Sequence, residues 1–157
     1  MKSSEIDSFK EDFYHRFNLP NGYQSFVATA RYLNTLKAPR RFDLLFSVLC
    51  DHHETPFPIQ KVASGLLLKQ AAKCSKSLSD VIYPVLDKLD ASIQEYPFFL
   101  AKLFGVDQVM EEIRRLKSAD LSTRQLKGLS TFEYWLSGFS DKRYEELRHR
   151  WSRTICG

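Results

Sequence analysis

Apolar residues along this 157-residue chain recur three and four positions apart in segment after segment, the spacing that lines one face of an α-helix. Ile6, Phe9, Phe13 and Phe17 predict a first helix over 4–17, with Glu5 and Asp7 early and His15 and Arg16 late, the charge order that the helix dipole favours. Asn18-Leu19-Pro20-Asn21-Gly22 ends it. Tyr23, Phe26, Val27, Ala30 and Leu33 predict a second helix over 23–37, stopped by Ala38-Pro39. Phe42, Leu45, Phe46 and Leu49 predict a third over 40–53, before Glu54-Thr55-Pro56-Phe57-Pro58 breaks the chain.

The fourth segment, 59–74, is apolar around much of its circumference, which marks it as the central helix. A fifth helix over 79–89 carries Val81, Ile82, Val85, Leu86 and Leu89, with Pro84 expected to kink it. The sixth, 93–104, has Pro97 early and Gly105 as its C-cap. The seventh, 106–117, has the cleanest pattern: Val106, Val109, Met110, Ile113 and Leu116, with Glu111 placed to pair with Arg115. Ser122-Thr123-Arg124-Gln125 is a capping box that opens the eighth, with Leu121 and Leu126 at the positions of a hydrophobic staple. A last helix over 141–153 presents Tyr144, Leu147 and Trp151 on one side. The expectation is one all-α domain over 1–157, of about nine helices stacked as antiparallel hairpins, either solenoid-like or as an orthogonal bundle.

The stretch Asp80-Val81-Ile82-Tyr83-Pro84-Val85-Leu86-Asp87-Lys88-Leu89-Asp90, followed by a helix closing on Leu103-Phe104-Gly105, resembles a HEAT repeat. A proline-bent first helix, an Asp at the turn and a small-residue cap carry the likeness. The hairpin through Asp120 and Arg124 to Gly128-Leu129 is a looser match, and the whole resemblance spans about a third of the chain. Where such repeats usually carry Arg, this sequence has Gln94. The resemblance implies an α-solenoid or solenoid-like bundle, and its family has no single activity to transfer.

Composition narrows the functional classes. With 43% apolar and 27% charged residues, the chain can bury a core and is not low-complexity. No apolar run approaches the length of a membrane span, and the N-terminus lacks the apolar stretch of a secretion signal. Cys50, Cys74 and Cys156 are an odd number with no CxxC pair, which suits free thiols in the cytoplasm. There is no Gly-rich phosphate loop, GxSxG or HExxH either, so no cofactor is implied.

Four groups of residues remain as candidates. Cys50-Asp51-His52-His53-Glu54 holds several metal-ligand types, but too few converge to close a tetrahedral site, so the histidines are read as helix C-terminal residues and no metal is expected. Glu133 falls between Leu126 and Leu129 on the apolar face of the eighth helix, where a carboxylate must be paired, protonated or turned into a cleft. The bland reading is a buried polar pin and the sharper one a functional acid. Tyr134 and Trp135, with Trp151, are candidates for an exposed aromatic surface that receives a partner, against the plain alternative of packing between helices. Lys61, Lys69, Lys73 and Lys76, with Arg40 and Arg41, form basic clusters that would meet an anion or merely solvate an apolar helix.

These residues favour a non-catalytic interaction domain with a protein partner. The rival is a nucleic-acid-binding protein using the lysine face. Some solenoids resembling HEAT arrays are DNA-processing enzymes, which need an acid and aromatics in a cleft. Glu133, Trp135 and Trp151 would be the residues to nominate.

Overall fold

The computed structural model describes residues 3–51, 55–70 and 73–155. Among these, nine α-helices and two 3-10 turns follow one another, and no strand is present. They are α1 (Ser3–Phe17), α2 (Val27–Asn34), α3 (Ala38–Leu49), α4 (Phe57–Lys69), α5 (Leu78–Ile82), α6 (Glu95–Phe104), α7 (Val106–Lys117), α8 (Thr123–Ser137) and α9 (Asp141–Thr154). None of them is long and apolar enough to cross a membrane.

The all-round apolar character of α4 places it at the centre, where every residue from Val62 to Leu68 is buried. It packs against α1, α3, α6 and α9. Helix α6 is almost as enclosed, buried continuously from Glu95 to Ala101. An aromatic seam ties it to its neighbours: Phe99 lies 6.0 Å from Phe42 of α3, and Tyr96 meets Phe132 of α8 edge-on at 6.2 Å. Burying the Tyr96 ring requires a partner for its hydroxyl, which donates to the Val81 carbonyl at 2.6 Å.

The C-terminal helix α9 comes back to α4, and the approach depends on a glycine. A Cβ at Gly65 would lie 2.2 Å from atoms of the Trp151 indole, so a side chain there excludes the ring. In a solenoid each hairpin touches only its neighbours. The return of the last helix to the fourth closes the array into a bundle.

Several elements differ from expectation, each for a backbone reason. The predicted second helix divides into a 3-10 turn over Gly22–Phe26 and α2. Pro39 does not stop that helix but sits in the first turn of α3, where its missing N–H costs nothing. Pro84 does more than kink the fifth helix: α5 ends at Ile82 and the chain continues as a 3-10 turn over Tyr83–Val85, since a proline ring collides with the carbonyl four residues back. Helix α4 ends at Lys69, so Lys73 and Lys76 lie beyond it. By contrast α7 has its predicted limits, and Gly105 joins it to α6 at a φ of 92°.

Candidate functional site

Three stretches distant in sequence meet to form a groove of about 500 Å³. One side is the approach to α4, with Asp51, Thr55, Phe57 and Gln60. The floor is the turn Leu86–Ala91, and the other wall is the face of α8 that carries Arg124, Lys127, Gly128 and Thr131. The α8 positions follow from helical spacing, since residues three and four apart share a face.

Gln60 laces the groove together. It is buried, and its side-chain nitrogen donates to the carbonyls of Thr55 at 3.0 Å and Lys88 at 2.7 Å, while its oxygen accepts from the Asp90 N–H at 2.8 Å. Asp90 in turn accepts from the Ser92 N–H and hydroxyl, and these bonds hold its carboxyl below the usual range. Lys88 reaches the Cys50 carbonyl at the end of α3, at 3.3 Å. Asp51 accepts from the Tyr14 hydroxyl at 3.2 Å and lies 3.7 Å from the Lys10 ammonium, which ties this edge to α1.

Helix α8 is fastened at two points. At Gly128 its backbone lies so close that an added Cβ would be 2.0 Å from the Leu86 carbonyl oxygen. One helical turn past Thr131, the Trp135 indole N–H donates to the Ala91 carbonyl at 2.9 Å. Tyr134 stands beside that indole, ring centres 5.0 Å apart, and is 69% exposed. The groove lining carries Asp51, Asp87 and Asp90 against Lys88, Arg124 and Lys127, so its charges balance, and Phe57 adds an exposed ring.

No family model, curated protein or solved structure matches this chain. Its functional reading therefore rests on the placement of its own side chains.

Of the aromatic candidates, Tyr134 and Trp135 do fall together at one end of the groove. Trp151 does not join them. It is buried against Gly65, with its indole N–H 3.2 Å from Glu95 Oε1, because the side of α9 that carries Tyr144 and Leu147 faces inward. Glu133 is also not the buried acid expected. It is 29% exposed and bonded by the Lys117 ammonium of α7 at 2.6 Å. The packing stripe of α8 is Leu129, Phe132 and Leu136. Leu126, which had defined the other edge of that face, is itself 40% exposed, so Glu133 sits at the margin of the stripe.

The acid that is buried is Glu95, 1% exposed, with Lys61 at 2.6 Å. Lys61 therefore does not belong to a solvated basic stripe. Its ammonium turns inward because Glu95, at the start of α6, packs beside α4. A signal for this was present: Glu95 lies between Ile93 and the apolar run Tyr96–Ala101, where a carboxylate has no wet side. The pair does not line the groove, which suits a structural pin.

The remaining basic candidates divide. Arg41 is committed to capping, donating to the carbonyls of Leu36 at 2.9 Å and Gln70 at 2.8 Å, at the ends of α2 and α4. Arg40 pairs with Glu5, whose carboxyl is lowered by that hydrogen bond. Lys69 is half-buried in the last turn of α4, and Lys73 and Lys76 are exposed. Of the expected metal-ligand run, His52, His53 and Glu54 lie outside the described residues, as does Cys156. Burial pushes the Cys50 thiol up to about 12, which keeps it protonated and a poor ligand or nucleophile. Among the described residues, no three His, Cys, Asp or Glu side chains converge as metal ligands do.

Proposed function

We infer that this chain is a non-catalytic protein-interaction domain that receives an extended segment of a protein partner in the groove between α4, the turn Leu86–Ala91 and α8. The observation that carries this reading is the mixed charge of the described lining, in which Asp51, Asp87 and Asp90 stand among Lys88, Arg124 and Lys127 beside an exposed phenylalanine. A lining of both signs offers a polyanion no net attraction, whereas a peptide, with both signs of charge and apolar side chains, can meet complementary groups. The pinned floor supports the same reading, because a groove already fixed by Gln60 and Gly128 loses little freedom when it is occupied. Tyr134 and Trp135 extend the surface at one end and supply the aromatic contact area on which binding energy concentrates.

The test is selection of peptides from a random display library on the immobilised full chain, followed by titration of the selected peptides. Lys127→Glu and Thr131→Arg are expected to weaken binding by at least about tenfold, the loss of one good contact, while Lys73→Glu in the segment between α4 and α5, outside the groove lining, leaves it unchanged. Selected peptides that bind both groove variants as tightly as the parent chain would overturn the reading.

A further inference from the structure

The fold assembles a second surface from basic residues that the sequence keeps apart. The end of α2, the start of α3 and the end of α4 meet at one corner. Arg41 bonds the Leu36 and Gln70 carbonyls, Gln70 donates to the Ala30 carbonyl at 3.2 Å, and the Lys73 N–H donates to the Ala38 carbonyl at 3.3 Å. These contacts bring together Arg31 in the last turn of α2, Lys37 and Arg40 at the opening of α3, Lys69 at the end of α4, and Lys73 beyond it. Arg31, Lys37, Arg40 and Lys73 are exposed and Lys69 is half-buried.

Acids counter this corner only in part. Glu5 neutralises Arg40, and on the α1 side of Tyr32, Glu5 and Asp12 line a recess in which Asp12 is paired with Arg16. Asp43 and Asp80 lie near Cys74, adding to the burial that raises its thiol. Beside Arg40 stands Tyr32, whose ring is 43% exposed and whose hydroxyl is 3.5 Å from Glu5.

We propose that this corner binds the sugar–phosphate backbone of a single-stranded nucleic acid, with Arg31, Lys37 and Lys73 on the phosphates and the Tyr32 ring stacked on a base. Converging cations with an exposed aromatic are the working parts of single-strand recognition. A duplex would call for an element that enters a groove, and here only helix ends and a connecting segment reach the surface. A membrane surface would call for a row of apolar anchors, and the exposed ring of the corner is a tyrosine. The site is independent of the peptide groove, whose lining shares none of these residues.

Fluorescence anisotropy with a labelled single strand of about 20 nucleotides tests this on the full chain. With about three phosphates neutralised, raising salt from about 50 to about 200 mM weakens binding roughly 20-fold, at a slope near −0.7 per phosphate. Arg31→Glu/Lys37→Glu/Lys73→Glu, checked for unchanged helicity, is expected to reduce affinity at least about tenfold, and Tyr32→Ala to reduce it about tenfold without altering the salt slope. Should the triple replacement unfold the chain, Lys37→Gln/Lys73→Gln is read in its place, with a smaller loss in the same direction. Binding that survives these replacements, that falls as much with Lys142→Glu/Arg150→Glu on α9, or that is matched by a duplex or by phosphatidylserine vesicles overturns the proposal. Retention of groove peptides by the corner variants keeps this outcome separate from that of the interaction reading.

Discussion

Two ion pairs of equal length hold this molecule in very different surroundings. Lys61 and Glu95 join α4 to α6 at 2.6 Å, and Lys117 and Glu133 join α7 to α8 at 2.6 Å. Glu95 is 1% exposed and takes a second donor, the Trp151 indole, on the same oxygen, while its other oxygen is shielded and has no donor among the described residues. Glu133 keeps 29% of its surface in solvent and Lys117 keeps 38%. Water screens the outer charges whether or not they meet, so their pairing changes little. Glu95 has lost its water, although the Lys61 side chain keeps 23% of its surface exposed, so the buried carboxylate depends on its partners far more than Glu133 does. Distance alone does not rank such contacts; the medium around them does.

Removing the inner carboxylate is the strongest test of that contrast. Glu95→Ala is expected to lower stability by about 3 kcal/mol, because it empties a buried site and takes the acceptor from the Trp151 indole N–H as well as the counter-charge from Lys61, read as a drop in the urea midpoint at unchanged slope. Replacing the charges while keeping an acceptor for the Trp151 indole N–H, Lys61→Met/Glu95→Gln, should restore most of that loss. A double replacement no better than Glu95→Ala would mean that the pair supplies energy beyond filling the space.

Next in size is Gly65→Ala, which probes the wall of the same interior. The new methyl group must displace the Trp151 ring, and overpacking of this kind costs about 1–3 kcal/mol. Indole fluorescence should shift toward that of a more exposed ring. A variant as stable as the parent, with unchanged emission, would show that α9 adjusts freely.

On the outer side, Ser122→Ala removes a helix cap. The Ser122 hydroxyl accepts from the Gln125 N–H at 3.1 Å and the Gln125 side chain accepts from the Ser122 N–H at 2.9 Å. Loss of the first bond should lower the urea midpoint by an amount equivalent to about 1 kcal/mol. Glu133→Ala should come last, at no more than about 1 kcal/mol, and the difference from the parent should vanish in high salt. If Glu133→Ala cost as much as Glu95→Ala, the contrast between the two pairs would fail.

What the sequence made legible was chiefly local. The capping box at Ser122, the limits of α7, the junction at Gly105 and the central place of α4 each follow from residues a few positions apart. Glu95 does not stand out in the sequence because an acid in the first turn of a helix has a ready local explanation in the helix dipole, and the enclosure that makes it unusual comes from α4 and α9. Glu133 was misread because Leu126 was counted as buried when nothing local says which leucines a neighbour will cover. The groove was not legible as a site, and of the basic corner the sequence singled out Arg40, Lys69 and Lys73 without showing that they meet Arg31 and Lys37. Each is built where stretches 20 to 80 residues apart in numbering converge, as between Gln60 and Asp90 or Ala38 and Lys73.

The docking of α9 on α4 also sets an order of events during synthesis. The flank of α4 around Gly65 is complete only when Trp151 covers it, so the chain emerging from a ribosome carries this apolar surface bare while the residues between them are made. At about 5–20 residues per second that interval lasts several seconds, long enough for an exposed helix face to find the wrong neighbour. The central helix of the bundle is thus the fourth of the nine described helices to be made and among the last to be enclosed.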